Sequence, residues 1–484
     1  MDTPSNGLSS AGEPISYSIE GAIEGQVPKS RPLPVVQLGV LLCVLLCEPM
    51  TSCVIFPFIA KLVDEVTDSK KDDAATGYYV GLIESLFFLA QGLCVLQWGR
   101  LSDKIGRRPV LLLGLIGLCL SMISFGLSRT FVGLIVSRVI AGLLSGNIGI
   151  TKTMMAELTD ESNRAFAFSL FPVTWVVGAT LAPLIGGALQ HPAETYPKIF
   201  RNSFWSNYPY FLPCSIVALF SGFTYLVVLM CLRETLLNQK RSYHDKTYSP
   251  IPDPPVISSD DSQVHPQPQA LTKPVMLAIL NYGCLAILEI SYLSLMTVFL
   301  AVPITSGGLG LLPSEIGIIL SVIGLFSGTI QVTVFPKAFR RWGAKSVLHA
   351  AFVSFLVLFP CFPLMHVMAS TSVDADGPLP RPVWGIMALM VVSSAVVDMG
   401  FSCAFMYTTA ACPSPKVLGT VNGYAQMVIS FTRALGPAGA TTLFALSVEN
   451  NWAGGYAVFW FFMALALVAL WCTRFLPKEP SPIS

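Results

Sequence analysis

Long apolar runs separated by short polar stretches dominate the chain. A helix needs about 20 mostly apolar residues to cross the hydrocarbon of a bilayer, and twelve runs reach roughly that length. The first six lie near 34–59, 78–98, 109–127, 131–156, 165–189 and 210–232. The second six lie near 274–300, 316–336, 345–367, 383–407, 418–446 and 455–476. None breaks into the short alternating segments of a membrane barrel, so the pattern predicts an all-α membrane protein with twelve transmembrane helices. Residues 1–33 are polar and contain no short apolar core. No cleavable signal peptide is therefore expected, and the first span would serve as the insertion signal.

The pattern changes once, over 233–273. There Tyr243-His244-Asp245-Lys246 is followed by Pro250, Pro252, Pro254, Pro255, Ser258, Ser259, Asp260 and Asp261. Such a stretch cannot bury a core and reads as a disordered linker. The predicted division is a tail over 1–33, a six-helix half over 34–232, the linker, a second six-helix half over 274–476, and a tail over 477–484. Lys and Arg set the orientation. Arg100, Lys104, Arg107 and Arg108 follow span two, and Lys337, Arg340, Arg341 and Lys345 follow span eight. The opposite loops 301–315 and 447–454 have none, and Lys61, Lys70 and Lys71 are offset by Asp and Glu around them. Both termini and the linker are thus expected in the cytosol.

Composition agrees and narrows the chemistry. Hydrophobic residues make up 53% of the 484 and charged ones only 12%, against about 25% charged in a soluble domain. A formal charge of +1 gives no basic excess for nucleic acid. The 12 cysteines sit almost entirely in apolar runs without a C-x-x-C pair, and the 5 histidines form no metal-spaced cluster. Neither a nucleophile nor a metal constellation is visible, so no enzyme, no metal and no cofactor are expected. The lipid bilayer is an expected partner, and nucleic acid is not.

The most specific signal follows span two: Trp98-Gly99-Arg100-Leu101-Ser102-Asp103-Lys104-Ile105-Gly106-Arg107-Arg108-Pro109. Gly99 would let a helix end approach a neighbour, and Asp103 is an acid among cations that can favour the positive N-terminus of a helix. The pattern G-x-L-x-D-x-x-G-R-R resembles the signature of the major facilitator superfamily, whose fold places twelve helices in two six-helix halves. The resemblance implies a cytosolic gate made by Gly99, Asp103, Gly106, Arg107 and Arg108 with Glu157, Asp160 and Arg164, in which Asp103 docks on the other half. The segment Pro336 to Gly343 keeps Arg340, Arg341 and Gly343 without the acid and resembles a degenerate second copy.

Arg138 lies near the middle of span four, with Gly142 four residues on. An Arg at that depth costs about 2.5–3.5 kcal/mol on insertion scales, so it should face a wet cavity or an acid. The R-x-x-x-G spacing resembles a motif linked to proton coupling. Lys152, nearer the cytosol, could snorkel outward. In span five, Gly178, Pro183, Gly186 and Gly187 resemble the antiporter pattern G-x-x-x-G-P-x-x-G-G, with Ala182 where a Gly is usual. Small residues allow close packing, and Pro183 removes one backbone bond. The stretch Gln190 to Pro197, Asn207 to Cys214, and Phe56-Pro57-Phe58-Ile59 resemble the zinc-induced facilitator-like transporters of plants and their fungal relatives. These belong with the twelve-span drug:proton antiporters. Their N-terminal Cys-Pro-Gly-Cys element is absent here.

Ionisable residues inside the apolar runs are candidates for proton coupling by default: Glu48 before Pro49, Glu84, Arg138, Glu289, Asp398 and Arg433. A carboxyl group in low dielectric can load and release a proton near neutral pH. Arg433 could instead pair with Glu289 or Asp398 and serve structure alone. Trp175, Tyr282, Tyr292, Tyr407 and Tyr424 are candidate cavity aromatics for a bulky apolar or cationic substrate. The resemblance and the buried charges together imply proton-coupled efflux of small organic compounds such as drugs, toxins or secondary metabolites, by a monomer whose partners are a small-molecule substrate, protons and the lipid bilayer. An importer or uniporter on the same fold and a non-transporting sensor are the alternatives. The plasma membrane is the expected location, with the vacuolar membrane as the second.

Overall fold

The computed structural model describes residues 34–67, 73–159, 161–236, 271–372, 379–413 and 418–477. These residues are helical with no strand among them, and eleven helices are long and apolar enough to cross a membrane. The twelfth expected span is also a helix, Leu418–Glu449, 32 residues long. It carries Asn422, Gln426, Arg433 and several glycines, and is less apolar for that reason. Large apolar side chains such as Leu120, Leu219, Phe223 and Leu325 are 58–71% exposed on the outer surface. So broad an apolar surface suits lipid and not water, and the chain is an integral membrane protein.

In chain order the spans are Val35–Cys53, Asp73–Ile105, Arg107–Leu127, Phe131–Leu158, Glu161–Leu189, Phe211–Cys231, Lys273–Ala301, Pro313–Thr333, Phe335–Ser372, Arg381–Ala410, Leu418–Glu449 and Ala457–Cys472. Their packing repeats. Span one lies on five, two on four and three on six; likewise seven lies on eleven, eight on ten and nine on twelve. The two sets meet through span two against eleven and span five against eight. Those two pairs exchange under the same six-span shift, the arrangement of two parallel six-helix repeats about one axis. Most of the expected 233–273 linker lies outside the described residues.

Three departures from the expected spans have physical causes. The segment after span two is helical through Ile105 and breaks only at Gly106, whose φ is 109°. The corresponding break in the second set is Gly343, φ 75°, inside Phe335–Ser372. An L side chain rarely adopts either conformation, so glycine permits both turns. The face carrying these two turns is called the basic face below.

Span four, expected as one helix, is two: Phe131–Leu144 and Asn147–Leu158, broken at Ser145-Gly146. Trp98 packs over Gly146, and its indole N–H donates to the carbonyl of Leu143 at 2.7 Å. That bond satisfies a backbone group left open by the break, as buried membrane backbone requires. Span one ends at Cys53 and turns over residues 54–58 into a short helix, Ile59–Thr67. Pro57 falls within that turn and cannot continue a helix's hydrogen bonding.

Candidate functional site: a buried polar centre and an aromatic cavity

The broken span four brings a polar cluster to the middle of the first six helices. Glu48, one residue before the bend-prone Pro49, is 4% exposed. Its Oε1 accepts from Gln91 Nε2 at 2.8 Å, and its Oε2 accepts from Ser145 Oγ at 3.3 Å. Gln91 Nε2 also donates to Ser145 Oγ at 3.0 Å, and Gln91 Oε1 accepts from Ser430 Oγ of span eleven at 3.1 Å. Gly142 makes this possible. A Cβ there would stand 3.1 Å from the Gln91 backbone nitrogen, so its absence lets span four close on span two. The expected R-x-x-x-G spacing thus acts here through packing at its glycine.

Arg138 meets neither a carboxylate nor the cavity described below. Its Nη1 donates to the carbonyl of Thr51 at 3.3 Å, and its guanidinium lies 4.8 Å from the Phe125 ring centre. Nε and Nη2 have no hydrogen-bond partner among the described residues. Glu84 is within electrostatic reach but makes no ion pair with it. Glu84 instead accepts from Ser294 of span seven, and Ser85 Oγ accepts from the backbone N–H of Ala438 in span eleven at 2.9 Å. Glu84, Ser85 and Gln91 therefore form one face of span two turned toward the second set. Lys152 does not snorkel. It is 9% exposed, with Nζ 5.2 Å from the Phe171 ring and 5.0 Å from that of Phe405 in span ten.

Between the two sets lies a cavity of about 100 Å³. Glu289, Asp398 and Arg433 line it, together with Trp175, Phe88 and Tyr292. Arg433 Nη2 is 3.4 Å from Glu289 Oε2, which selects Glu289 as its ion-pair partner. The guanidinium also lies 5.3 Å from the Trp175 ring centre. Of the aromatics expected in a cavity, Trp175 and Tyr292 line it. Tyr282 packs on Phe401, Tyr407 donates to the carbonyl of Pro477 at 3.0 Å, and Tyr424 packs in a separate cluster with Val421 and Val275.

The glycines of span five sit at contacts no side chain would fit. A Cβ on Gly178 would stand 2.6 Å from Pro49, and one on Gly186 would collide with the Val54 carbonyl. One on Gly187 would stand 2.7 Å from the Pro313 carbonyl, in span eight. Pro183 lines the cavity, and its carbonyl faces Gly317.

On the basic face, Arg107 donates to Asp103 and to Ser102, and its Nη2 is 3.2 Å from Glu157. Glu157 also accepts from Thr235. Glu234 accepts from the backbone N–H groups of Arg107 and Arg108 at 2.9 and 3.0 Å, capping span three. The cap occupies the space beside Gly106, where a Cβ would stand 2.6 Å from it. Arg108 donates to the carbonyl of Leu229. Asp103 is 62% exposed and makes no ion pair or hydrogen bond with the second set among the described residues. A Cβ on Gly99 would meet nothing within 4 Å among the described residues, so the close approach expected of it is not made with any of them. Asp160 and the side chain of Arg164 lie outside the described residues.

The opposite face has its own cluster. His191, in a left-handed conformation at φ 51°, lies 3.0 Å from the Tyr210 hydroxyl and 3.4 Å from Glu65 and Glu194. Burial pushes the Glu65 carboxyl up, but hydrogen bonds from His191 and Tyr210 outweigh it and hold the group below its ordinary value.

Gln91, Ser145, Glu157's partner Thr235, Glu234 and the His191 cluster were not singled out from the sequence, His191 having been read only within a family-like stretch. Uncharged Gln91 and Ser145 stand out in an apolar run only once their neighbours across space are known.

Residues 41–437 match the sequence profile of the Major Facilitator Superfamily. The chain belongs to that superfamily. Its relatives include the major facilitator-type transporter psiT2 of Psilocybe cyanescens, 30% identical, with 94% of this chain and 92% of the relative covered. The multidrug transporter mfsB of Aspergillus fumigatus is also 30% identical, covering 93% and 84%. The plant protein Zinc Induced Facilitator-Like 1 of Arabidopsis thaliana is 25% identical, covering 87% and 86%. Among solved structures, the fold is similar to a D-xylose–proton symporter at TM-score 0.67 and 13% identity, covering 93% of this chain and all of that one. This facilitator is a membrane transporter and not an enzyme. The expected likeness to fungal multidrug carriers and plant facilitator-like proteins is borne out.

Proposed function

We propose that this facilitator exports small organic compounds in exchange for protons, as a monomer, with the basic face and both termini in the cytosol. The carrying observation is the buried carboxyl Glu48, held by Gln91 and Ser145 where span four breaks. Broken helices near mid-membrane mark coupling and substrate sites in transporters. Glu289 and Asp398 beside Trp175 in the cavity support a second acidic locus where an aromatic or cationic compound would sit. Names of relatives such as multidrug transporter and efflux pump support the outward direction.

The two six-helix halves, 34–232 and 274–476, would rock about the cavity. Gly187 against Pro313 fits closure at the opposite face, and undocked Asp103 fits a gate not yet closed at the basic face. On closing, Asp103 would reach the start of span eleven, with Gly99 making its close approach then. Glu84, Arg138, Glu289, Asp398 and Arg433 remain candidates to share the proton path. The plasma membrane is the proposed location, with the vacuolar membrane as the alternative.

The test is accumulation of rhodamine 6G and a panel of fungal metabolites in cells expressing wild type, Asp103→Ala or Arg138→Ala, at external pH 5 and 7.5. Lower accumulation with wild type, more so at pH 5, and loss in both variants supports the reading. Higher accumulation with wild type contradicts the direction of transport.

A further inference from the structure

Gln91 touches more of the buried polar centre than any other side chain and joins both halves. Its two N–H groups go to Glu48 Oε1 and Ser145 Oγ, and its carbonyl oxygen accepts from Ser430 across the interface. Gly92, beside it, would place a Cβ 3.2 Å from Ser430, so the two helices meet at this level with no space between them. We propose that Gln91 is a coupling residue, whose carboxamide senses whether Glu48 carries a proton and passes that state to Ser430 in the second half. This rests on the reading that a buried carboxyl carries the proton.

The hydrogen-bond inventory gives the mechanism. With Glu48 ionised, each polar hydrogen has an acceptor: the amide N–H groups on Glu48 and Ser145, the Ser145 hydroxyl on Glu48, the Ser430 hydroxyl on the amide oxygen. A carboxylate only accepts, and this fixes the amide with nitrogen toward Glu48 and oxygen toward Ser430.

A proton added at Oε1 sets an O–H against an N–H. The amide relieves this by turning over, so that its oxygen accepts from the acid and its nitrogen faces Ser430. Ser430 must then become an acceptor and send its own hydrogen to the carbonyl one turn back in span eleven, a bond helical serines commonly make. A proton at Oε2 instead meets Ser145, which can accept it only by turning its hydroxyl hydrogen away. That leaves the Gln91–Ser430 bond as it was, so it is the proton at Oε1, the oxygen facing Gln91, that remakes the bond between spans two and eleven.

The charged groups acting on Glu48 are Lys152 from span four and Arg433 from span eleven. Arg433 is itself engaged by Glu289. Arg138 holds the Thr51 carbonyl a turn further along span one. None of these contacts Ser430 in its place, so Gln91 is the direct hydrogen-bonded link from Glu48 to the second half.

Hydrogen–deuterium exchange of the full chain in lipid nanodiscs, at pH 5.5 and 7.5 and corrected for intrinsic exchange, tests this without a substrate. Wild type is expected to show pH-dependent protection at the two ends of spans two and eleven, with opposite signs at the two faces. Glu48→Gln should hold the pH 5.5 pattern at both values. Gln91→Leu should keep protection within the spans but lose the pH difference, although Glu48 is intact. Ser430→Ala, which removes a single hydroxyl, should lose most of it and carries the test if Gln91→Leu fails to fold.

A merely structural Gln91 would lower protection at both pH values and leave the difference in place, and that result overturns the proposal. A retained difference in Gln91→Leu and Ser430→Ala with a lost one in Glu48→Gln overturns the coupling role and spares Glu48. A retained difference in Glu48→Gln overturns both.

Discussion

Gly187→Ala is expected to shift the carrier away from the state closed at the opposite face. The added Cβ would stand 2.7 Å from the Pro313 carbonyl oxygen, 3.1 Å from the Gly317 Cα and 3.3 Å from the Ser314 Cα. All three are backbone atoms, so no side chain can swing aside. Spans five and eight must separate by roughly 0.7 Å to restore an ordinary contact of 3.4 Å, and overpacking of this kind costs about 1–3 kcal/mol. The cost falls only on the state in which the two spans touch. The balance between states therefore moves about 5- to 150-fold toward the one open at that face. Cys53 lines the cavity and reports the shift. Its conversion to a mixed disulfide by a membrane-impermeant thiosulfonate added from the opposite face, with sulfinate leaving, should speed up by that factor, with Cys53→Ser as the blank. Gly385→Ala, on the exposed side of span ten where the added Cβ meets nothing within 4 Å, should leave the rate unchanged. An unchanged rate in a folded Gly187→Ala protein would refute the reasoning, because the contact would then not distinguish the states.

Arg433→Leu leaves Glu289 buried without its partner and should cost about 3–5 kcal/mol in thermal unfolding, while Glu289→Gln with Arg433→Leu recovers most of that loss. Trp98→Phe keeps the packing over Gly146 but removes the donor to the Leu143 carbonyl, so a loss of about 1–3 kcal/mol should appear in the same unfolding assay. Glu65 is held below its ordinary value, so its contribution is present above about pH 4.3 and is lost as pH falls through the lowered value. Glu65→Gln should lower the melting temperature at pH 7 and leave it unchanged near pH 2.

The span count and the two-repeat fold were legible because length and apolarity alone decide what crosses a bilayer. The Arg433–Glu289 pair was legible as one of two open choices, but the helical course through Ile105 to a break at Gly106 was not. The break at Ser145-Gly146 was not, since both residues are tolerated inside a membrane helix and the reason lies in Trp98, 47 residues away in sequence and above Gly146 in space. Arg138 was placed at the right depth, but its neighbours are a backbone carbonyl and a ring, which no spacing rule encodes. Gln91 carries no charge and so gave no signal, although it links four helices.

The central claim is that proton and substrate movements are tied through Glu48. Purified wild type and Glu48→Gln reconstituted in liposomes with a trapped pH dye, then given rhodamine 6G under an imposed pH gradient, test it directly. Probe movement in wild type should dissipate the gradient, and Glu48→Gln should move probe, if at all, without moving protons. Probe transport by wild type that leaves the gradient intact, or gradient dissipation by Glu48→Gln equal to wild type, would contradict it.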